Sequence, residues 1–132
     1  MSVGTRSGLV YGVGALRAAA RGDRAFWAVH RAALVHGIVP VVPVTVIAEG
    51  FRTEARGDRI QALLDGAEVE VMDPSQARRV GELAVKAATT DLVAASVAET
   101  AARRNCAVVA ARQNALVSAA RLLGHTLVLH AL

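Results

Sequence analysis

The chain has 132 residues, 54% apolar but only 3% aromatic, with a formal net charge of +4 and all but one of its basic residues arginine. One domain over 1–132 is expected, with a core of alanine, valine and leucine. Its apolar runs fall short of the ~18 residues that cross a bilayer, and no basic-then-apolar secretion signal opens it, so a cytoplasmic protein without membrane association is expected.

In chain order, the apolar run over 9–13 predicts a first strand, and a short helix follows over 15–21, stopped by Gly22. Asp23 suits the N-cap of a helix over 24–35 that Gly37 ends. The β-branched run 38–42, bounded by Gly37 and Pro43, predicts a second strand. Thr45 is expected to cap a helix carrying Val46, Ile47, Glu49 and Gly50. Gly57-Asp58 starts a helix through Leu64, closed by Gly66, and 68–72 alternates polar and apolar as a half-exposed strand does. Asp73-Pro74-Ser75 starts a helix to about Ala88. Thr89-Thr90-Asp91 starts another through Arg104. A strand over 107–110, a helix over 113–123 ended by Gly124 and a strand over 126–129 complete the chain. Strands alternating with helices predict βαβ units and a parallel sheet covered on both faces.

The remaining single features carry little chemistry. Cys106 stands alone, which excludes an internal disulfide and a cysteine zinc site, and in its apolar run it reads as a buried thiol. The positive excess suits an anionic partner, RNA or an acidic protein segment, but no dense basic run names one. His30, His36, His125 and His130 lack ligand spacing, and no glycine-rich phosphate loop or nucleophile elbow is present. Arg-Gly-Asp-Arg occurs at 21–24 and 56–59, where glycine ends one helix and aspartate caps the next. Phe26, Trp27 and Leu34 read as core rather than as a self-association patch.

Four segments together carry a resemblance. They are Gly12-Val13-Gly14-Ala15-Leu16 with Arg21-Gly22-Asp23-Arg24 beyond; Val41 to Glu49; Thr89-Thr90-Asp91-Leu92-Val93-Ala94-Ala95; and Val108-Val109-Ala110-Ala111-Arg112. In this order and at these separations the chain resembles a PIN domain, of the VapC-like toxin group of bacterial toxin–antitoxin pairs. The resemblance implies a three-layer α/β/α sandwich with a short, mostly parallel sheet. It also implies ribonuclease ancestry, an antitoxin partner, RNA as substrate and a homodimer. Members gather about four carboxylates at the carboxyl ends of the strands to hold Mg²⁺ or Mn²⁺, which activates water and neutralises charge on the phosphodiester.

Carried over residue by residue, most of those carboxylates are missing. The first acidic position is Gly12, the second is Glu49, the third is Ala94, the fourth is Arg112, and the next acidic position is Ala115. Only Glu49 remains of the main four, with Asp91 one helical turn before Ala94. Asp91 also reads as a first-turn acid favoured by the helix dipole. Arg112 places a cation where the family binds a dication, to pair with Glu49 or Asp91 or to bind phosphate. Arg52 reads as a helix-surface partner of Glu49 or an RNA contact. The expectation is therefore a disabled nuclease, natural or deliberately inactivated, with Mg²⁺ or Mn²⁺ binding weak or absent. It keeps partner binding and weak RNA binding. Two alternatives stand beside it: an active metal-dependent endoribonuclease using Glu49, Asp91 and a further acid such as Glu99 or Asp73, and an unrelated α/β binding module. Losing clustered, mutually repelling acids should also stabilise the metal-free fold.

Overall fold

A computed structural model describes residues 8–111 and 114–124, together with the backbone of 129–130. The elements run β1 (Leu9–Tyr11), α1 (Val13–Ala20), α2 (Arg24–Val35), β2 (Val41–Pro43), α3 (Val44–Thr53), α4 (Gly57–Asp65), β3 (Glu68–Glu70), α5 (Pro74–Lys86), α6 (Leu92–Arg104), β4 (Ala107–Val109), α7 (Asn114–Leu122) and β5 (Leu129–His130). All strand pairs are parallel, in the order β3-β2-β1-β4-β5, with Val10 opposite both Val41 and Val108. Parallel strands need crossovers, and the helices supply them. One helical group packs α1 on α2, α3 and α4, and the other packs α6 on α5 and α7. The predicted α/β/α sandwich is thus observed.

β1, β2 and β4 are runs of Leu, Val, Ala, Tyr and Pro buried almost throughout, as strands covered on both faces must be. Alanine dominates the helix surfaces against them: Ala15, Ala19, Ala95, Ala98, Ala101 and Ala119 are fully buried. Small side chains let helix and sheet backbones approach closely. The low aromatic content leaves one ring cluster, in which Tyr11, Phe26, Trp27 and His30 meet edge-on or stacked. Phe26 and Trp27 therefore serve the core, and the Trp27 indole N–H donates to the Ala19 carbonyl at 3.2 Å.

Aspartate caps set three helix starts. Asp23, Asp73 and Asp91 each accept the backbone N–H three residues on, from Phe26, Gln76 and Ala94, at 2.9, 2.7 and 2.9 Å. The two Arg-Gly-Asp-Arg segments differ. In the first, Gly22 takes φ +70° and Asp23 caps α2. In the second, Gly57 already lies in α4, and Asp58 pairs with Arg56 at 2.8 Å instead of capping. The segments also meet, because Arg59 Nη1 donates to the Ala20 carbonyl at 3.0 Å. A Cβ on Gly22 would lie 2.9 Å from that guanidinium.

Several boundaries depart from expectation. β1 stops at Tyr11, since Gly12 and Val13 open α1. The second strand begins at Val41 rather than 38, after Pro40, leaving Val39 half exposed. Thr45 does not cap α3: Pro43, with φ −62° and ψ 144°, is the N-cap, and the Thr45 hydroxyl bonds Ser96 of α6. β3 ends at Glu70 and turns its acid inward while Val69 and Val71 face out. The last predicted strand lies partly outside the described residues, and pairing is observed at Leu129 and His130.

Glu70 faces inward because it is met by donors. It accepts from Thr100 Oγ1 at 2.6 Å, Gln76 Nε2 at 3.2 Å, Arg103 Nη2 at 2.7 Å and Arg104 Nε at 2.9 Å. Glu99, one turn before Arg103, accepts from Gln76 at 2.9 Å and from Arg103 Nε at 3.0 Å, with Arg79 at 3.4 Å. Glu70 and Glu99 are only 8% and 6% exposed, and the network ties the sheet edge to α5 and α6. Buried acids are tolerable only when paired and hydrogen-bonded in this way.

Candidate functional site

A small cleft of about 60 Å³ opens at the carboxyl ends of β1 and β4, where open α/β sheets place their sites. Its walls include Gly12, Arg17, Glu49, Asp91, Ala94 and Ala110. Three elements thus converge. Gly12 is the N-cap of α1, Glu49 lies on α3, and Asp91 and Ala94 sit at the start of α6. Of the positions singled out from sequence, Gly12, Glu49, Asp91 and Ala94 come together here. Arg52 does not line the cleft but pairs with Glu49. Ala115 packs against the core, and its neighbour Leu116 reaches the cleft instead. Arg112 lies outside the described residues.

Each surviving acid is already engaged. Both Glu49 oxygens accept from Arg52, from Nε at 2.7 Å and from Nη2 at 2.8 Å. These hydrogen bonds hold the Glu49 carboxyl below its ordinary value; desolvation opposes them, and the Arg52 and Arg17 charges add to them. Glu49 is therefore an anion at neutral pH, neutralised by a fork-on-fork arginine. Asp91 Oδ1 is the α6 cap, and the Asp91 backbone N–H donates to Thr89 Oγ1 at 3.0 Å. Both alternative acids lie elsewhere, which corrects their placement in a nuclease site. Glu99 belongs to the buried network, Asp73 caps α5, and neither lines the cleft.

Gly12 is not an open vacancy. A Cβ there would lie 2.8 Å from the Ala110 Cβ, across the gap between β1 and β4. The Gly12 N–H also donates to the Val109 carbonyl at 3.0 Å, which holds the two strand ends together. Any side chain at position 12, a carboxylate included, requires those ends to part.

Arg17 is the group that sequence reasoning missed. It is the one charged residue of α1, it lines the cleft, and its Nε stands 3.8 Å from the nearly buried Glu54. Arg21 also reaches Glu54, at 3.3 Å. The visible signal was a lone cation in an alanine-rich helix directly after the glycine segment.

The donor set does not fit a divalent metal. A hard cation takes six or more oxygens, and Mg²⁺ needs at least one or two free carboxylates among its waters, whereas among the described residues the two carboxylates of the cleft are already engaged, Glu49 clamped by arginine and Asp91 capping a helix. No group of three or more His, Cys, Asp or Glu side chains among the described residues is placed to hold an ion. Elsewhere, the His30 ring accepts or donates at 2.8 Å with the Tyr11 hydroxyl, and burial lowers its pKa from the ordinary 6.5. Burial pushes the Tyr11 phenol up to about 12 and raises the Cys106 thiol. No helix among the described residues is long and apolar enough to cross a membrane.

No family model and no curated protein sequence matches the chain. Solved structures do. The chain is similar to PAE2754 from Pyrobaculum aerophilum, with a TM-score of 0.62 and 18% identity over 91% of this chain and 96% of that one. It is also similar to VapBC2 from Rickettsia felis, solved bound to a DNA fragment from their promoter, with a TM-score of 0.67 and 14% identity over 96% of this chain and 99% of that one. At these identities the likeness concerns the fold, and the fold of this chain is that of a PIN-like, VapC-like domain.

Proposed function

We propose that this chain is a VapC-like PIN domain whose metal-dependent ribonuclease chemistry is disabled and which acts through protein binding. The observation that carries the reading is the cleft at the ends of β1 and β4. It has glycine and alanine at two acidic positions, Arg52 closed over Glu49, and Asp91 bound to its own helix. Mg²⁺ is commonly held through one or two carboxylates while it keeps several waters, and here both carboxylates of the cleft are engaged, Glu49 by Arg52 and Asp91 by the α6 backbone. An antitoxin is the proposed protein partner, supported by the likeness to a VapBC2 complex. Self-association and weak RNA binding at Arg52 and Arg17 belong to the same reading, as does a cytoplasmic location.

The test is cleavage of structured RNA by the purified chain with Mn²⁺. The expected result is no turnover above buffer. Cleavage that EDTA and Glu49→Gln both abolish would establish the active-nuclease alternative and overturn the reading.

A further inference from the structure

α2 is held against the sheet by a short set of groups, and one of them titrates. Its buried residues are Phe26, His30 and Ala33, and Trp27 donates to the Ala19 carbonyl of α1. His30 is 3% exposed and sits among rings: Tyr11 of β1, Phe26 stacked on it and Trp27 edge-on. Beyond the ring lies Gly66, where a Cβ would stand 3.7 Å from His30 Nε2. The Tyr11 hydroxyl, 2.8 Å from Nδ1, is the one polar group the ring meets among the described residues.

No charge compensates a proton there. On α2 itself Asp23 caps the helix, Arg24 and Arg31 are exposed, and the exposed His36 bonds the Ala32 carbonyl. Arg17 and Arg21 of α1 turn to Glu54, and Arg59 of α4 turns to the Ala20 carbonyl. Asp65 at the end of α4 is exposed and accepts from Gln61. β1 presents only Tyr11, so burial alone lowers the His30 pKa from 6.5. In the neutral pair one hydrogen bond forms and one N–H or O–H is left over, whichever tautomer is present. In the protonated pair Tyr11 can only accept, so its own O–H and the Nε2–H both lack an acceptor. A buried charge with unpaired donors is costly.

The ends of α2 suit movement. Gly22 and Gly37 bracket the helix with φ of +70° and +75°, and a Cβ on Gly37 would meet nothing within 4 Å. Glycine takes up large backbone changes at low steric cost, as hinges require.

We propose that α2 is an acid-released latch: protonation of His30 frees this helix from β1 and α1, between hinges at Gly22 and Gly37, while the rest of the sheet stays folded. The released ring titrates at its ordinary 6.5 and the docked ring lower. Docking therefore has its full strength above pH 6.5 and weakens below it, with the released fraction rising about tenfold per pH unit between the two values. Release uncovers Tyr11, which directly precedes the Gly12 wall of the cleft. The latch goes beyond the proposed loss of nuclease chemistry and uses none of its residues, so either can fail alone.

Trp27 is the sole tryptophan, so its fluorescence reports on α2 directly. Between about pH 7.5 and 5, the full chain should shift its emission to longer wavelength. Amide exchange over residues 23–36, corrected for its intrinsic pH dependence, should quicken about tenfold or more while β2 and α6 keep their protection. His30→Gln keeps an acceptor for Tyr11 but takes up no proton, and it should erase both changes. His36→Gln and Glu70→Gln should leave them in place. An NMR titration of the His30 ring in the intact chain needs no variant and decides alone if His30→Gln does not fold: the ring should titrate below 6.5, together with the Trp27 shift. A ring titrating at or above 6.5, a Trp27 signal flat through that titration, a shift that persists in His30→Gln, or exchange that quickens through the whole chain at once would each overturn the proposal.

Discussion

Two parts of this molecule hold acids, and they differ in how deeply they bury them and in how many donors meet them. In the network joining β3 to α5 and α6, Glu70 and Glu99 are nine-tenths buried and met by Thr100, Gln76 and three arginines. In the cleft at the ends of β1 and β4, two acidic positions of the resembled family carry Gly12 and Ala94, and the surviving acids are part-exposed. The network buries two carboxylates among several donors each, whereas the cleft holds two part-exposed ones, Glu49 against one arginine and Asp91 against the α6 N-terminus. At the cleft, a Cβ on Gly12 would lie 2.8 Å from the Ala110 Cβ, and Arg52 closes on Glu49. A cleft kept for catalysis holds its ligands apart and partly unsatisfied; this one satisfies them from within.

The contrast breaks first at Arg103. Arg103→Met removes one guanidinium from two buried carboxylates and should lower the unfolding free energy by about 2–3 kcal/mol, less than stranding a buried ion, because Arg103 is partly exposed and Arg104 and Arg79 still meet Glu70 and Glu99. Urea unfolding measures it, and a change within error would mean the network is ornamental. At the cleft, Gly12→Ala drives a methyl into Ala110 and should cost about 1–3 kcal/mol, as overpacked cores do. Ala110→Gly in the same chain should relieve most of that cost. Additive losses would show that the strand ends do not touch as described.

A smaller loss tests Asp91. Asp91→Ala removes the α6 cap and should cost about 1 kcal/mol, with no change on adding Mn²⁺. A variant whose stability differs from the parent only when metal is present would make Asp91 a ligand instead.

The pH response separates two groups. Burial alone would raise the Glu70 carboxyl, but Thr100, Arg103 and Gln76 bring it below its ordinary 4.5. A depressed carboxylate stabilises fully above its unfolded value, so this contribution is present above about pH 4.5 and disappears as pH falls through the folded value. His30 is depressed as well, by burial, so the unfolded chain takes up its proton first and stability begins to fall below pH 6.5. Thermal midpoints across pH 3–8 should show both declines, and Glu70→Gln should shrink the lower one, to which Glu49 also contributes.

What the sequence revealed follows from how local each determinant is. Asp23, Asp73 and Asp91 act on their own next turn, so those helix starts were readable, as was the alternation that gives a parallel sheet. The inward turn of Glu70 was not readable, because its donors come from residues 6 to 34 positions away. The same holds for Thr45, whose hydroxyl is claimed by Ser96 rather than by its own helix. In the cleft, the family pattern brought Gly12, Glu49, Asp91 and Ala94 to one place. It gave no hint of Arg17, because the pattern concerns acids, or of the Gly12–Ala110 contact, which exists only once β1 and β4 pair.

The proposed loss of nuclease chemistry requires that this cleft fail to grip a divalent cation. Calorimetric titration of the intact chain with Mn²⁺ tests it most directly. The expected result is no binding tighter than about millimolar, the weak end for oxygen-ligated cations. Micromolar binding that disappears in Glu49→Gln would contradict it.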